Sequence, residues 1–343
     1  MQLIYGQEHG GCNRFGKRSG RKAEAQPAFA EDVLCLLACV SVLPQKLAFG
    51  TPRKLPRAAS LEGRVVVLDI AFAGAGPKAG FAQVTLPLIQ GLGDRLRGWI
   101  DHHDHDDHEK YASDPRFVLC TKAEHGACPE MITPEVVRAI GPVDTVLCHN
   151  DFDGLVSAAK WMRGGSEPYP GADDDARAVD TRVGKPGPLG ERLDRALRAR
   201  PRDEGLFGVV VRHLYEGLED VGLWRVIDDA GAELIPIEKE TRRAAQNYQK
   251  LDPGVALVDV RSGFGRIDKT LLLLLGQQRA RSSIVVDKGS VTVAAPFDSG
   301  LDFVKLLGLS GGMPTRVSIG HKHLGELLTA LGVSPHDQAP FLE

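Results

Sequence analysis

Arg64-Val65-Val66-Val67-Leu68-Asp69 sets the reading of the rest of the chain. Four consecutive apolar residues, three of them β-branched, run without polar alternation. That pattern predicts a strand covered on both faces, as in a parallel sheet, with Asp69 at its C-terminal end. Val143 to Cys148 repeats the pattern and delivers Cys148-His149-Asn150-Asp151-Phe152-Asp153-Gly154, after which Leu155 to Met162 reads as a helix. Between the two, residues 73–80 are rich in Gly, Ala and Pro and read as a loop, and another strand is expected to end at Ile100. A fourth short strand is predicted at Ala176 to Val179, ending in Asp180. Strands alternating with helices imply an α/β fold, a mostly parallel sheet flanked by helices.

The strand ending at Ile100 leads into Asp101-His102-His103-Asp104-His105-Asp106-Asp107-His108-Glu109, four imidazoles and five carboxylates in nine residues. Neutral imidazole and carboxylate together suit divalent transition metals, whereas Mg or Ca sites are mostly oxygen. Taken alone, such a tract reads equally as a solvated acidic loop that binds metal adventitiously. Two further strand ends decide the matter. In a parallel sheet the C-terminal strand ends converge on one crevice, where ligands bind. Asp69, Asp101-His102-His103, and His149, Asp151 and Asp153 would all arrive there. A lone strand-end Asp usually caps the next helix; three such ends, two carrying His, are harder to explain as capping. A bridging carboxylate with two His and two more Asp can hold two divalent ions that clamp a phosphoryl group. Gly154 lets the chain turn tightly into a helix whose N-terminus favours anions.

Composition bounds the class of protein. At 343 residues two domains are the natural expectation. A net charge of −3 gives no overall field for nucleic acid, so a polyanion site must be local. No apolar run reaches the length of a membrane span. The six Cys (12, 35, 39, 120, 128, 148) form no C-x-x-C pair, which fits reduced thiols in a cytoplasm. Residues 1–28, with Arg14, Lys17, Arg18, Arg21 and Lys22 among many Gly, read as a basic arm, and 29–43 as a buried helix ended by Pro44. Glu31 and Asp32 stand where a secretory signal would be basic, which argues against export.

The C-terminal part has its own pattern. Leu189 to Ala199, Val209 to Glu219 and Trp224 to Asn247 read as helices. A strand at Val255 to Val260 and a Leu-rich helix at 270–276 follow. Ser283 to Val286 and Ser290 to Ala294 read as a hairpin around Asp287-Lys288-Gly289. A helix at 301–307, the loop Leu309-Ser310-Gly311-Gly312-Met313-Pro314, a strand at Thr315 to Ile319 and a helix at 323–331 close a second, smaller α/β domain.

Asp69 after its Val-rich strand, Asp101-His102-His103, and His149-Asn150-Asp151-Phe152-Asp153-Gly154 resemble the motifs of the DHH phosphoesterases. The hairpin, helix and Gly311-Gly312 resemble that family's associated substrate-binding domain. The likeness spans roughly residues 61–320. It implies a catalytic domain over 1–205, a helical linker over 206–250 and a substrate-binding domain over 251–343. It implies an Mn-dependent hydrolase with two ions, Mg or another divalent ion being the alternative. Asp69, His102, His149, Asp151 and Asp153 would bind metal, Asp101 would support that shell, and His103 would face the reacting phosphate. Asp180 is a further candidate ligand, with helix capping as its competing role.

Two departures stand out. The family's His/Asp-x-Asp-Gly motif normally precedes the other two, whereas here it follows the triplet. A circular permutation accounts for this. The alternative keeps the usual order, with a degenerate first motif around His9 and Asp32 and with Asp151 or Asp153 as a late ligand. The run from His149 is the fuller match and favours permutation. The loop at Gly311-Gly312-Met313 also lacks the His that often follows those glycines, and Arg316 or His321 is expected to supply the polar contact to substrate.

The resulting expectation is hydrolysis of a phosphodiester or phosphomonoester of a nucleotide or short single-stranded oligonucleotide, by two-metal activation of water. The protein would be a nuclease-type enzyme of the cytoplasm, and nothing in the sequence disfavours a dimer. Two other readings stand beside it. One is a non-catalytic module that binds nucleotide or nucleic acid. The other is an inorganic polyphosphate or pyrophosphate hydrolase, for which a site denser in Lys and Arg is expected.

Overall fold

The computed structural model describes residues 43–74, 80–309 and 311–342. The basic arm, the helix expected over 29–43 (Leu43 apart), His9, Asp32, Cys12, Cys35, Cys39 and Ser310 lie outside the described residues. No helix among them is long and apolar enough to cross a membrane.

The fold is α/β, built on two five-stranded sheets. The N-terminal part runs β1 (Lys46–Gly50), β2 (Val65–Leu68), α1 (Thr85–Leu92), β3 (Leu96–Asp101), a two-residue β4 (Asp104–His105), β5 (Phe117–Leu119), α2 (Pro134–Ile140), β6 (Thr145–His149), α3 (Phe152–Met162) and α4 (Ala172–Thr181). Its sheet has the order β1-β6-β2-β3-β5 and every pair is parallel. Val65–Leu68 sits centrally and is buried on both faces, hence its unbroken apolar run. Val66 and Leu68 pack on one side with Phe152, Leu155 and Ala158 of α3. Val65 and Val67 pack on the other side with Leu88, Ile89 and Leu92 of α1. Each such side chain contributes ~1.5–3 kcal/mol by leaving water.

Helices α5 (Pro188–Ala199), α6 (Glu204–Tyr215), α7 (Val221–Ala232) and α8 (Leu234–Ala245) follow. The chain then passes through β7 (Gln249–Leu251), β8 (Val255–Asp259), α9 (Lys269–Gln277), β9 (Ser282–Val286), β10 (Val291–Ala294), α10 (Phe303–Leu306), β11 (Gly311–Gly312), β12 (Arg316–Ile319), α11 (Leu324–Ala330) and α12 (Pro335–Leu342). The second sheet, β12-β10-β9-β8-β7, is mixed, with β8 and β9 its parallel pair. Leu206, Phe207, Val210, Val211, Ile227 and Ala230, from α6 and α7, share the core of the first sheet.

Four expectations are corrected. The stretch Ala176 to Val179 is helical, inside α4, so Asp180 lies on a helix's last turn and not at a strand end. Ala172, Asp175, Ala176 and Val179 are buried at helical spacing, and Asp173, Asp174 and Asp175 fill the first turn, where negative charge is favoured. The helix expected at 209–219 starts five residues earlier, because Asp203 caps it by accepting from the Leu206 N–H. Trp224 to Asn247 contains two helices divided near Glu233. The loop expected at 309–314 contains β11, whose Gly311 and Gly312 pair antiparallel with His105 and Asp104 of β4. That bridge brings the glycine loop of the second sheet to the histidine tract.

Candidate metal centre

Asp69, the triplet and His149 reach the centre from the C-terminal edge of the parallel sheet, Asp151 and Asp153 from the start of α3, and Asp180 from the end of α4. Asp69 follows β2 at φ 58°, a left-handed conformation that few non-Gly residues adopt. Its N–H still donates to the Ile100 carbonyl, so the strain falls on the residue that turns out of the sheet. Its side chain is buried, and neither carboxylate oxygen accepts a hydrogen bond among the described residues. Buried polar atoms are nearly always satisfied, so this carboxylate is set up for a partner of another kind.

Imidazoles surround it. His102 Nε2 lies 3.3 Å from Asp69 Oδ1, His103 Nδ1 4.0 Å from the same oxygen, and His149 Nδ1 3.6 Å from Oδ2. Three donor groups result: Asp69 with His102 and His103, Asp69 with His149 and Asp151, and His102 with Asp153 and Asp180. Within each group one ligand atom per residue falls inside 4.8 Å of the others. Asp69 belongs to two groups and His102 to two.

Local structure aims these side chains. His102 Nδ1–H donates to the His125 carbonyl at 2.8 Å, which turns Nε2 into the cluster. His103 Nδ1–H donates to Asp101 Oδ1 at 2.8 Å, so Nε2 is the ring nitrogen that this bond leaves unengaged. Asp151 is the N-cap of α3, with Oδ1 accepting from the Gly154 N–H at 3.4 Å and Oδ2 2.7 Å from His149 Nδ1. At Gly154 an added Cβ would lie 2.5 Å from the His149 carbonyl oxygen, so the loop closes this tightly only with glycine there.

Charge follows geometry. Burial, and then the charge of Lys122, work against a protonated His102, yet the carboxylates of Asp153 and Asp69 prevail and its pKa is pushed up to about 11. Burial also opposes a charged His149, but Asp151 and Asp69 raise it well above the usual imidazole range. Divalent ions would displace those protons, since a ligating imidazole is neutral. Burial and the charges of Asp151 and Asp180 raise Asp153. Burial works against the Asp101 carboxylate, and His103 more than offsets it, lowering its pKa.

The donors fit a divalent transition ion: imidazole nitrogen with carboxylate oxygen, buried, and incompletely hydrogen-bonded. Asp69, His102, His103, His149, Asp151, Asp153 and Asp180 are brought together, while Asp101 stands behind His103 and is in none of the three groups. Asp180 arrives from α4 and caps nothing in the sense expected. The remaining histidines of the tract go elsewhere. His105 accepts from the Asp107 N–H at its Nδ1 and packs on Phe72 and Phe81, and His108 also packs on Phe72.

Lys122 was not foreseen. It lies three residues beyond β5, and its buried ammonium pairs with Asp180 Oδ2 and sits 3.4 Å from His102 Nε2. Burial disfavours its charge, but Asp180, Asp153 and Asp69 outweigh that and raise its pKa. The sequence carries no signal for it, because Phe117–Leu119 is too short to stand out as a strand.

Beside Asp180 a cleft of ≈ 210 Å³ opens between α4 and the second sheet, lined by Asp180, Arg182, Phe297, Met313 and Arg316 among others. The half-buried Arg316 guanidinium makes no ion pair or hydrogen bond among the described residues, and burial followed by the Arg182 charge lowers its pKa. His321 lies at the far end of β12 from Arg316, with Nε2–H donating to the Asp287 carbonyl at 2.6 Å.

No family model matches the chain, and no curated protein matches it. Among solved structures, a pGpG-specific phosphodiesterase from Vibrio cholerae, PggH, is similar at 11% identity and a TM-score of 0.36, over 79% of this chain and 97% of that one.

Proposed function

We propose that this protein is a divalent-metal-dependent phosphoesterase that hydrolyses a phosphodiester or phosphomonoester of a nucleotide or short oligonucleotide. The observation that carries the reading is Asp69: a strained, buried carboxylate whose close partners among the described residues are imidazoles, shared by two donor groups. Asp69, His149 and Asp151, with His102 and His103 adjoining, would hold the metal. Mn is the first candidate because the donors mix nitrogen and oxygen. A bound ion supplies Lewis-acid polarisation of the phosphate and lowers the pKa of water.

The chain's own groups supply the rest. Asp101 fixes the ring of His103 so that Nε2 can contact the phosphate or hand a proton to the leaving oxygen. Arg316, lacking a protein partner, offers a guanidinium to a second phosphate or a base in the adjoining cleft. Gly311 and Gly312, paired beside the triplet, bring backbone close to the same phosphate. On this reading residues 251–343 contribute substrate binding. The His149–Gly154 run shares one centre with Asp69 and the triplet, as a permuted DHH arrangement requires; the usual order also places Asp151 or Asp153 there, and His9 and Asp32, which separate the two, lie outside the described residues.

The test is a panel of bis(nitrophenyl) phosphate, a nitrophenyl monoester, short oligonucleotides and pyrophosphate, each with Mn, Mg and no metal. Metal-dependent cleavage of an ester is expected. Metal bound without turnover on any substrate would favour the non-catalytic binding reading, and turnover of pyrophosphate alone would favour the polyphosphate one.

A further inference from the structure

The third donor group differs from the other two in already holding a cation. His102, Asp153 and Asp180 face Lys122, whose side chain is about as buried as those of His102 and Asp153 and more buried than that of Asp180. It pairs with Asp180 Oδ2 and lies 3.4 Å from His102 Nε2. Asp153 Oδ2, the third member, is 3.5 Å from that same imidazole nitrogen. The loop after β5 builds this arrangement. Beyond Lys122 it contributes the His125 carbonyl that orients His102, and the Cys128 N–H, which donates to Asp153 Oδ2 at 3.5 Å.

We propose that the Lys122 ammonium takes the place of one of the two divalent ions that such a donor set would otherwise hold. The centre then binds a single ion, on the Asp69–His149–Asp151 side. The inference rests on the metal-dependent reading above and amends its expected stoichiometry. An ammonium offers three N–H donors and a positive charge where carboxylates converge. A divalent ion ligated by Asp180 and His102 would lie within a few ångströms of that charge, and like charges so close in a protein interior repel strongly. A built-in cation also keeps Asp153 and Asp180 partnered when no metal is present, which a vacant ion site would not do.

The measurement is the Mn content of chelator-stripped wild-type protein after equilibrium dialysis against Mn, by elemental analysis, together with its electron paramagnetic resonance spectrum. The same is done for Lys122→Met and Lys122→Gln. One Mn per chain with the spectrum of an isolated ion is expected for the wild type. A second Mn, bound at least ~10-fold more tightly than to the wild type, with the spectrum of an exchange-coupled pair, is expected once the ammonium is gone. Two ions on the wild type overturn this inference alone, whether or not the variants fold. One ion on wild type and on a variant whose circular dichroism is native overturns it as well. No ion on any of the proteins overturns both this inference and the metal-dependent reading beneath it.

Discussion

The two sides of the centre use the same residue types and differ in what surrounds them. On one side Asp69, His149 and Asp151 form no ion pair with a Lys or Arg among the described residues, and Asp151 and His149 keep 47% and 20% of their side chains exposed. On the other side His102 and Asp153 are 0% and 3% exposed and Lys122 supplies the counter-charge. On the proposed function, exposure and the lack of a Lys or Arg partner among the described residues make the first side the place where an ion and a phosphate would enter. Burial and an internal ammonium make the second a fixed electrostatic wall. A cluster of ligand-type residues is therefore not by itself a count of ions; the charge already present has to be subtracted.

The contrast can be broken most forcefully at the residue both sides lean on. Asp69→Asn keeps the shape and tolerates the left-handed backbone, yet removes the charge shared by two donor groups. Metal affinity and turnover should each fall by more than ~100-fold, read by dialysis and by steady-state rates. Asp101→Asn separates positioning from ligation. His103 keeps an amide-oxygen acceptor for its Nδ1–H but loses the negative charge behind it, so kcat should fall ~10–100-fold while bound metal per chain stays unchanged. Loss of metal in that variant would make Asp101 a ligand.

The cleft gives a smaller effect. Hydrogen bonds to charged groups are worth ~1.5–3 kcal/mol, so Arg316→Ala should raise KM by about 10-fold or more with kcat little altered, the mark of uniform binding. An unchanged KM across the substrate panel would remove Arg316 from the substrate site.

The smallest expected effect lies away from the centre, at a buried histidine where burial outweighs the nearby carboxylates of Asp220 and Glu216. His213 is fully buried, stacks edge-on to Trp224 with ring centroids 4.6 Å apart, and has no hydrogen-bond partner on either ring nitrogen. Burial lowers its pKa below the ordinary 6.5, the opposite of His102 and His149. Below 6.5 the unfolded chain therefore binds more protons than the folded one, so this group's contribution is complete above that pH and is lost on acidification. His213→Phe should flatten the loss of thermal stability between pH 7.5 and 5.5 by about 2 °C in Tm. An unaltered pH slope would contradict the assignment.

Much of this was legible before any coordinates, and the reasons are specific. β2, β3 and β6 are buried on both faces, so burial writes itself as an apolar run, and the acids and imidazoles that end each run stand out against it. Asp180 was placed in the right company for the wrong reason: Ala176 to Val179 is too short to show whether its period is two or 3.6, and only the acidic first turn of α4 hinted at a helix. Lys122 and β5 were invisible because three residues carry no period and a lone lysine normally reads as solvated. His105 and His108 looked like ligands by composition but pack against Phe72, a contact set by tertiary structure. The pairing of β4 with β11 joins residues some two hundred positions apart, and no local pattern announces it.

The central claim is that the Asp69 centre binds a divalent ion and uses it to hydrolyse a phosphate ester. Its most direct test is a titration of Mn into chelator-stripped protein, with cleavage of bis(nitrophenyl) phosphate and a short oligonucleotide followed beside bound Mn. Asp69→Asn is run in parallel. Turnover that is absent without metal, rises in step with ion binding and is missing from Asp69→Asn is the predicted result. Turnover that persists in stripped protein, or that survives in Asp69→Asn at the wild-type rate, would contradict it.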